Sequence, residues 1–125
     1  MQATFLLISD RKESQWSQVL ARALAPLGEL QVVLEKEAVQ HTLQHGYDTM
    51  IVDAAVIDDV PFLISRLRAQ QPQARIVVVT ASPTWQRARE ALQAGAVNYV
   101  HKSLNEKELL SIFKDILART PPPWP

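Results

Sequence analysis

Four apolar stretches of the sequence each end in a polar residue that is able to take part in chemistry. These residues are Asp10 after FLLIS, Asp53 after TMIV, Thr80 at the end of RIVVVT, and Lys102 after VNYVH. If the stretches are strands of one parallel sheet, about 4.8 Å apart, their polar ends meet at one edge. Two carboxylates at such a short distance repel each other, which favours a divalent cation or an ammonium between them. Mg²⁺ suits such oxygen ligands, together with phosphate.

The stretches that would position these residues are predicted β-strands. Runs such as FLLI and IVVV do not alternate polar with apolar residues, which is typical of strands buried on both faces of a parallel sheet. The five predicted strands are Thr4–Ser9, Leu30–Leu34, Thr49–Val52, Arg75–Thr80 and Val97–His101.

Helical periods separate the predicted strands. The first helix shows an apolar stripe made of Trp16, Val19, Leu20, Ala23, Leu24 and Leu27, and the last shows Leu109, Ile112, Phe113, Ile116 and Leu117. Between them we expect helices near Glu35–His45 and Val60–Gln71, and one that begins at Ser82-Pro83 with Ser82 as N-cap. The result is a (βα)5 chain, which predicts an open, doubly wound parallel sheet with helices on both faces.

Particular residues are expected to begin and end these helices. Asn105 and Glu108 resemble a capping box before the last helix. All three glycines, Gly28, Gly46 and Gly95, directly follow a helical pattern, so we expect each to take the left-handed conformation that ends a helix.

The composition excludes several classes of function. The chain has 125 residues, no cysteine, and 13 basic against 13 acidic side chains. The absence of cysteine rules out disulfides and thiolate sites, and three glycines are too few for a glycine-rich phosphate loop. Zero net charge argues against direct binding of nucleic acid, and no apolar stretch is long enough to span a membrane. We therefore expect a single cytoplasmic domain.

The sequence resembles the receiver domain of two-component response regulators. The resemblance runs from roughly Thr4 to Ala118 and rests on FLLISD, TMIVDA, RIVVVTA and AGAVNYVHKS. It implies the flavodoxin-like form of the fold, with strand order 2-1-3-4-5. It also implies that residues 1–119 form the receiver domain, while residues 120–125 (TPPPWP) form a proline-rich tail or linker.

The resemblance assigns a role to each polar strand end. In this family the aspartate after strand three accepts a phosphoryl group from a histidine kinase or phosphotransfer protein. The implied roles are the acceptor at Asp53; Mg²⁺ ligands at Asp10, Asp53 and the backbone carbonyl of Ala55; phosphoryl-binding groups at Thr80 and Lys102; and a switch made of Thr80 and Tyr99. Attack by a carboxylate gives an aspartyl phosphate, and Mg²⁺, Lys102 and Thr80 would neutralise its oxygens.

Four residues depart from the family pattern. Ser9 stands where most receivers have a second acid, so we expect weaker Mg²⁺ binding. Ile57 and Pro61 replace a usual proline and glycine, so the loop after strand three should follow another path. Ser103 replaces a cis-proline, and we expect a trans bond there and a shifted loop after strand five.

The remaining candidates have simpler interpretations. Asp58 and Asp59 precede a helix and are expected to cap it, while His41 and His45 are expected on a solvated helix face without a third metal ligand. Trp85 begins the fourth helix, where it would either anchor an interface or pack on its own helix.

Two functions remain open from the sequence. The first is a phosphorylated switch that acts through the face formed by the fourth helix, the fifth strand and the fifth helix, toward an output domain, a partner protein or a second copy. The second is a degenerate receiver that binds partners without phosphate. A dehalogenase-like phosphatase is disfavoured because Ala55 stands where that family has a second aspartate. In neither open case is the chain a stand-alone turnover enzyme.

Overall fold

The computed structural model describes residues 2–11 and 13–119, and the tail predicted at 120–125 lies outside them. Five strands alternate with five helices. The strands are β1 (Ala3–Ser9), β2 (Gly28–Leu34), β3 (Thr49–Asp53), β4 (Arg75–Thr80) and β5 (Asn98–His101). The helices are α1 (Gln15–Leu24), α2 (Glu35–Gln44), α3 (Val60–Gln70), α4 (Trp85–Ala94) and α5 (Glu106–Ala118). The (βα)5 prediction is confirmed.

The strands form one parallel sheet in the order β2-β1-β3-β4-β5, as the resemblance implies. Side chains alternate between its two faces. Phe5 and Leu7 pack on the side of α1 and α5, whereas Leu6 and Ile8 pack on the side of α2, α3 and α4. All four are at most 1% exposed, so β1 is buried on both faces. This burial explains why its sequence does not alternate.

The start of α4 differs from the prediction. The N-cap is Thr84, whose hydroxyl accepts a hydrogen bond from the Arg87 amide at 3.2 Å, and not Ser82. Ser82 belongs instead to the turn after β4, because its amide donates to the Thr80 hydroxyl at 3.1 Å. The helix therefore begins at Trp85.

The expectation of three left-handed glycines is wrong at two positions. Gly95, at the end of α4, has a φ of 125°. Gly28 instead begins β2, because α1 already ends at Leu24. A Cβ at Gly28 would overlap the backbone of Ala3, the residue with which it pairs, so a close approach of two strands explains this glycine. Gly46 follows α2 without a positive φ.

Helix caps agree in part with the sequence. The Asn105 side chain accepts from the Glu108 amide at 3.1 Å, which confirms the predicted N-cap of α5. The other half of the box is different, because Ser103 Oγ accepts from the Asn105 amide at 3.0 Å and donates to the Glu108 carboxylate at 3.1 Å. Asp59, and not Asp58, is the N-cap of α3.

Candidate functional site

Asp53 is a buried carboxylate at the carboxyl end of β3. The residue is 5% exposed, although acids are seldom buried without a partner. Its Oδ1 accepts a hydrogen bond from the Ala55 amide at 3.1 Å. Its Oδ2 accepts from Lys102 Nζ at 2.8 Å. Both oxygens therefore have a donor, and the charge of Asp53 is paired across 49 positions of sequence.

Lys102 directly follows β5, two strands away from Asp53. Its main-chain amide donates to the carbonyl of Thr80 at 2.7 Å, which extends the pairing of β4 with β5 by one residue. Its ammonium lies 5.4 Å from the centre of the Trp16 ring. The side chain is 19% exposed, so Lys102 is partly open to solvent, unlike Asp53.

Thr80 and Tyr99 lie beside this pair on β4 and β5. Thr80 is 4% exposed, and its hydroxyl accepts the hydrogen bond from Ser82. The Tyr99 hydroxyl is buried without a partner in the described part of the chain. Tyr99 also lines a cavity of about 350 Å³ between α4 and the loop after β3, together with Ala55 and Arg87.

Asp10 makes only local contacts. It is exposed, with Oδ1 at 3.7 Å from Arg11 Nε and 3.5 Å from Ser9 Oγ. The parallel pairing of β1 with β3 runs to Ile8 opposite Val52, so the next step along both strands brings buried Ser9, and not Asp10, beside Asp53. Within residues 2–11 and 13–119, no hydrogen bond or ion pair joins Asp10 to Asp53.

The carboxylate oxygens at this edge are the type of ligand that Mg²⁺ prefers, although Asp10 and Asp53 do not contact each other in the described residues. Mg²⁺ in proteins is typically bound by one or two carboxylates, with waters and substrate phosphate completing its shell. Asp10 and Asp53 supply two carboxylates, whereas the third acid that would strengthen the site is replaced by Ser9. The described residues contain no cluster of three or more acidic, histidine or cysteine ligands.

The departures from the family pattern have visible consequences. Pro61 lies in the first turn of α3, where its missing amide needs no partner, and Ile57 is 6% exposed within the core. All peptide bonds between described residues are trans, including the one before Ser103, as predicted. The Ser103 carbonyl accepts a hydrogen bond from Trp16 Nε1 at 3.0 Å.

The other candidates lie away from the Asp53 site. Trp85 is 82% exposed at the start of α4, so packing on its own helix is not its role in this structure. The rings of His41 and His45 lie 6.1 Å apart, and neither belongs to a cluster of ligands in the described segments.

Sequence reasoning placed Trp16 only in the core and missed its contacts with Lys102 and Ser103. Its indole N–H, which needs an acceptor when buried, was the available signal.

Comparison with known proteins identifies the family. The family model for the response regulator receiver domain matches residues 16–114. The chain therefore belongs to the receiver domains of two-component response regulators, as the resemblance predicted. This is a family of signalling switches. Separately, no helix in the described residues is long and apolar enough to cross a membrane.

Similar proteins include two transcriptional regulators. The DNA-binding transcriptional regulator NtrC of Azospirillum brasilense is 30% identical over 126 residues, which cover 98% of this chain and 26% of that protein. The transcriptional regulatory protein PhoP of Escherichia coli K12 is 35% identical over 85 residues, which cover 67% of this chain and 38% of that protein. The chain thus spans well under half the length of these curated relatives.

Solved structures support the same fold. A response regulator from Thermotoga maritima superposes with a TM-score of 0.82 at 23% identity, covering 95% of this chain and all of that one. A response regulator from Burkholderia pseudomallei, solved with a phosphorylated aspartic acid, a calcium ion and citrate, gives a TM-score of 0.72 at 28% identity. That match covers 94% of this chain and 74% of the other.

Proposed function

We propose that Asp53 accepts a phosphoryl group from a phosphohistidine of a histidine kinase or phosphotransfer protein. A carboxylate oxygen of Asp53 attacks the phosphorus, the P–N bond breaks, and the histidine nitrogen leaves with its electron pair and takes a proton. The acceptor is buried and already paired, so the reaction depends on positioning and on neutralising charge. The phosphorylated aspartate of the Burkholderia structure supports this proposal by similarity.

The observation that carries the proposal is the contact between Lys102 and Asp53. An ammonium 2.8 Å from the carboxylate, at the rim of the pocket, is placed to bind an oxygen of an incoming phosphoryl group. Thr80 ends the neighbouring strand, and its hydroxyl, whose oxygen accepts from the Ser82 amide, retains a proton that it would donate to that group. In the resting protein, the Lys102 ammonium and the Ala55 amide donate to the Asp53 carboxylate.

Mg²⁺ is the cofactor that the donor set fits. Asp10, Asp53 and the carbonyl of Ala55 would hold it, and it would neutralise charge on the phosphoryl oxygens. With Ser9 in place of a second acid, we propose that the chain needs more Mg²⁺ than a receiver that has both. Half-maximal phosphorylation should therefore shift to a higher Mg²⁺ concentration in this chain than in its Ser9→Asp variant.

Phosphorylation would act on the face made of α4, β5 and α5. We propose that Thr80 and Tyr99 transmit the change at Asp53 to this face. The Tyr99 hydroxyl is buried without a partner among the described residues, so no hydrogen bond there opposes its movement. Exposed Trp85 on α4 is a candidate contact for an output domain, a partner protein or a second copy. The cytoplasmic location predicted from the sequence belongs to the same proposal.

Intact-mass measurement tests the proposal. The chain is incubated with acetyl phosphate and Mg²⁺, alongside Asp53→Asn and the control Asp58→Asn, which changes an exposed acid of the loop after β3. We expect one phosphoryl group on the wild type and on Asp58→Asn, and none on Asp53→Asn or after chelation of Mg²⁺. Uptake of a phosphoryl group by Asp53→Asn would show that another residue is the acceptor. No uptake by the wild type would favour the phosphate-independent interaction module.

A further inference from the structure

Trp16 combines core packing with two contacts to the functional site. It is 9% exposed on α1 and packs in the cluster that α1 and α5 form on one face of the sheet. Burial alone requires an acceptor for its N–H, but it does not require that this acceptor lie next to Lys102. Its Nε1 nevertheless donates to the carbonyl of Ser103 at 3.0 Å, and its ring centre lies 5.4 Å from Lys102 Nζ.

Hydrogen bonds hold the backbone on both sides of Lys102, and the contact of Trp16 with Ser103 is one of those on the α5 side. On the β4 side, the Lys102 amide donates to the Thr80 carbonyl at 2.7 Å. On the α5 side, Ser103 is held at its carbonyl by Trp16 and at its hydroxyl by Asn105 and Glu108. The resemblance places a proline at position 103, and the proline ring would restrict the backbone there. Serine has no such ring, so these hydrogen bonds supply the restraint on Ser103.

The second contact acts on the ammonium itself. An aromatic face within about 6 Å attracts a cation, and indole attracts it most strongly. The Trp16 ring carries a donor but no hydrogen-bond acceptor, so it attracts Lys102 without occupying its N–H groups. A carboxylate in the same place would compete with a phosphoryl oxygen for those groups.

We propose that Trp16 is a positioning residue that holds the Lys102 ammonium over Asp53 and keeps it available to the entering phosphoryl group. This inference rests on the proposed phosphorylation of Asp53 and adds a residue to that site. As the phosphoryl group is added to Asp53, the ammonium must change its partner from the carboxylate to a phosphoryl oxygen without moving into solvent. The indole face supports that change because its attraction is not tied to one hydrogen-bond direction.

The first test compares phosphorylation rates with acetyl phosphate at saturating Mg²⁺. Trp16→Leu keeps an apolar side chain at this position and removes both contacts, and we expect the rate to fall about tenfold. Trp16→Phe keeps a ring and loses the N–H, so its rate should fall only about threefold. Val19→Ala, on the same buried stripe of α1, should lower stability and leave the rate unchanged. A fall with Val19→Ala equal to that with Trp16→Leu would reduce Trp16 to a structural residue.

The second test is independent of phosphorylation. The indole ring current should shift the ε-methylene protons of Lys102 upfield in NMR spectra of the resting protein, and Trp16→Leu should abolish this shift while Val19→Ala retains it. Unchanged Lys102 shifts in Trp16→Leu would overturn the inference whatever the rates. If the wild type takes up no phosphate, the proposed function fails, and the Lys102 shifts alone decide whether Trp16 positions the ammonium.

Discussion

Replacing Lys102 by methionine should destabilise the protein much more than replacing Asp53 by asparagine. The Asp53 side chain is 7% exposed and that of Lys102 is 19% exposed. Without the lysine, the carboxylate stays in the pocket with the Ala55 amide as its one remaining donor. Without the carboxylate, the long lysine side chain is able to extend its ammonium into water. The cost of breaking the pair is therefore unequal for its two members.

The burial of the two side chains determines how large the difference in the free energy of unfolding should be. Removing one partner of a fully buried ion pair costs about 3–5 kcal/mol, and the partial exposure of Lys102 lowers this to about 2–3 kcal/mol for Lys102→Met. Asp53→Asn keeps an acceptor for the Ala55 amide, so it should cost less than about 1 kcal/mol. In the double variant no charge is left uncompensated, and its stability should lie within about 1 kcal/mol of Asp53→Asn.

Urea unfolding at neutral pH, followed by circular dichroism, measures all four proteins. The coupling free energy from the double-mutant cycle should be about 2 kcal/mol. Equal losses in the two single variants would show that Lys102 does not compensate a buried charge. A loss below about 0.5 kcal/mol in Lys102→Met would refute the burial argument itself, because that is the range of ordinary surface substitutions.

Two further predictions concern residues outside the ion pair. Gly28→Ala should lower the free energy of unfolding by more than about 2 kcal/mol, because its Cβ would overlap the backbone of Ala3 on the paired strand. The control is Gly46→Ala. A Cβ there would meet open space, so this variant should change the free energy of unfolding by less than about 1 kcal/mol. Similar urea midpoints for these two alanine variants would contradict the close approach. Tyr99→Phe removes a hydroxyl that is buried without a partner among residues 2–11 and 13–119, and it should raise the free energy of unfolding by about 1 kcal/mol. A lower thermal midpoint in Tyr99→Phe would instead show that the hydroxyl makes a stabilising hydrogen bond.

The order of elements was predictable because it depends on patterns that extend over many residues. The uninterrupted apolar runs around Ile51 and Val78 occur only where both faces of a strand are buried, and the stripe from Trp16 to Leu24 has the helical period. The placement of Lys102 beside Asp53 also followed, since parallel strands bring their carboxyl ends to one edge. Both inferences need only the sequence and the geometry of a sheet.

Details that depend on single contacts were not predictable. Ser82 and Thr84 are equally good capping residues, and only the bond from the Ser82 amide to Thr80 selects Thr84. Gly28 looks like a helix end in sequence, but its role depends on Ala3, 25 positions earlier, lying against it. The local contacts of Asp10 likewise reflect where β1 stops relative to β3, which hydropathy patterns do not resolve.

Arg119, directly after α5, is held by Arg75 on β4. Its carbonyl accepts two hydrogen bonds from the Arg75 guanidinium, at 3.2 Å and 2.7 Å, at the amino end of β4. The acceptor carboxylate lies at the opposite edge of the sheet, and the 13 residues of α5 separate the two edges by about 20 Å. A segment attached after this arginine would therefore begin about 20 Å from Asp53, beyond the Debye length of about 8 Å at physiological ionic strength, so a new charge on Asp53 would be screened from it.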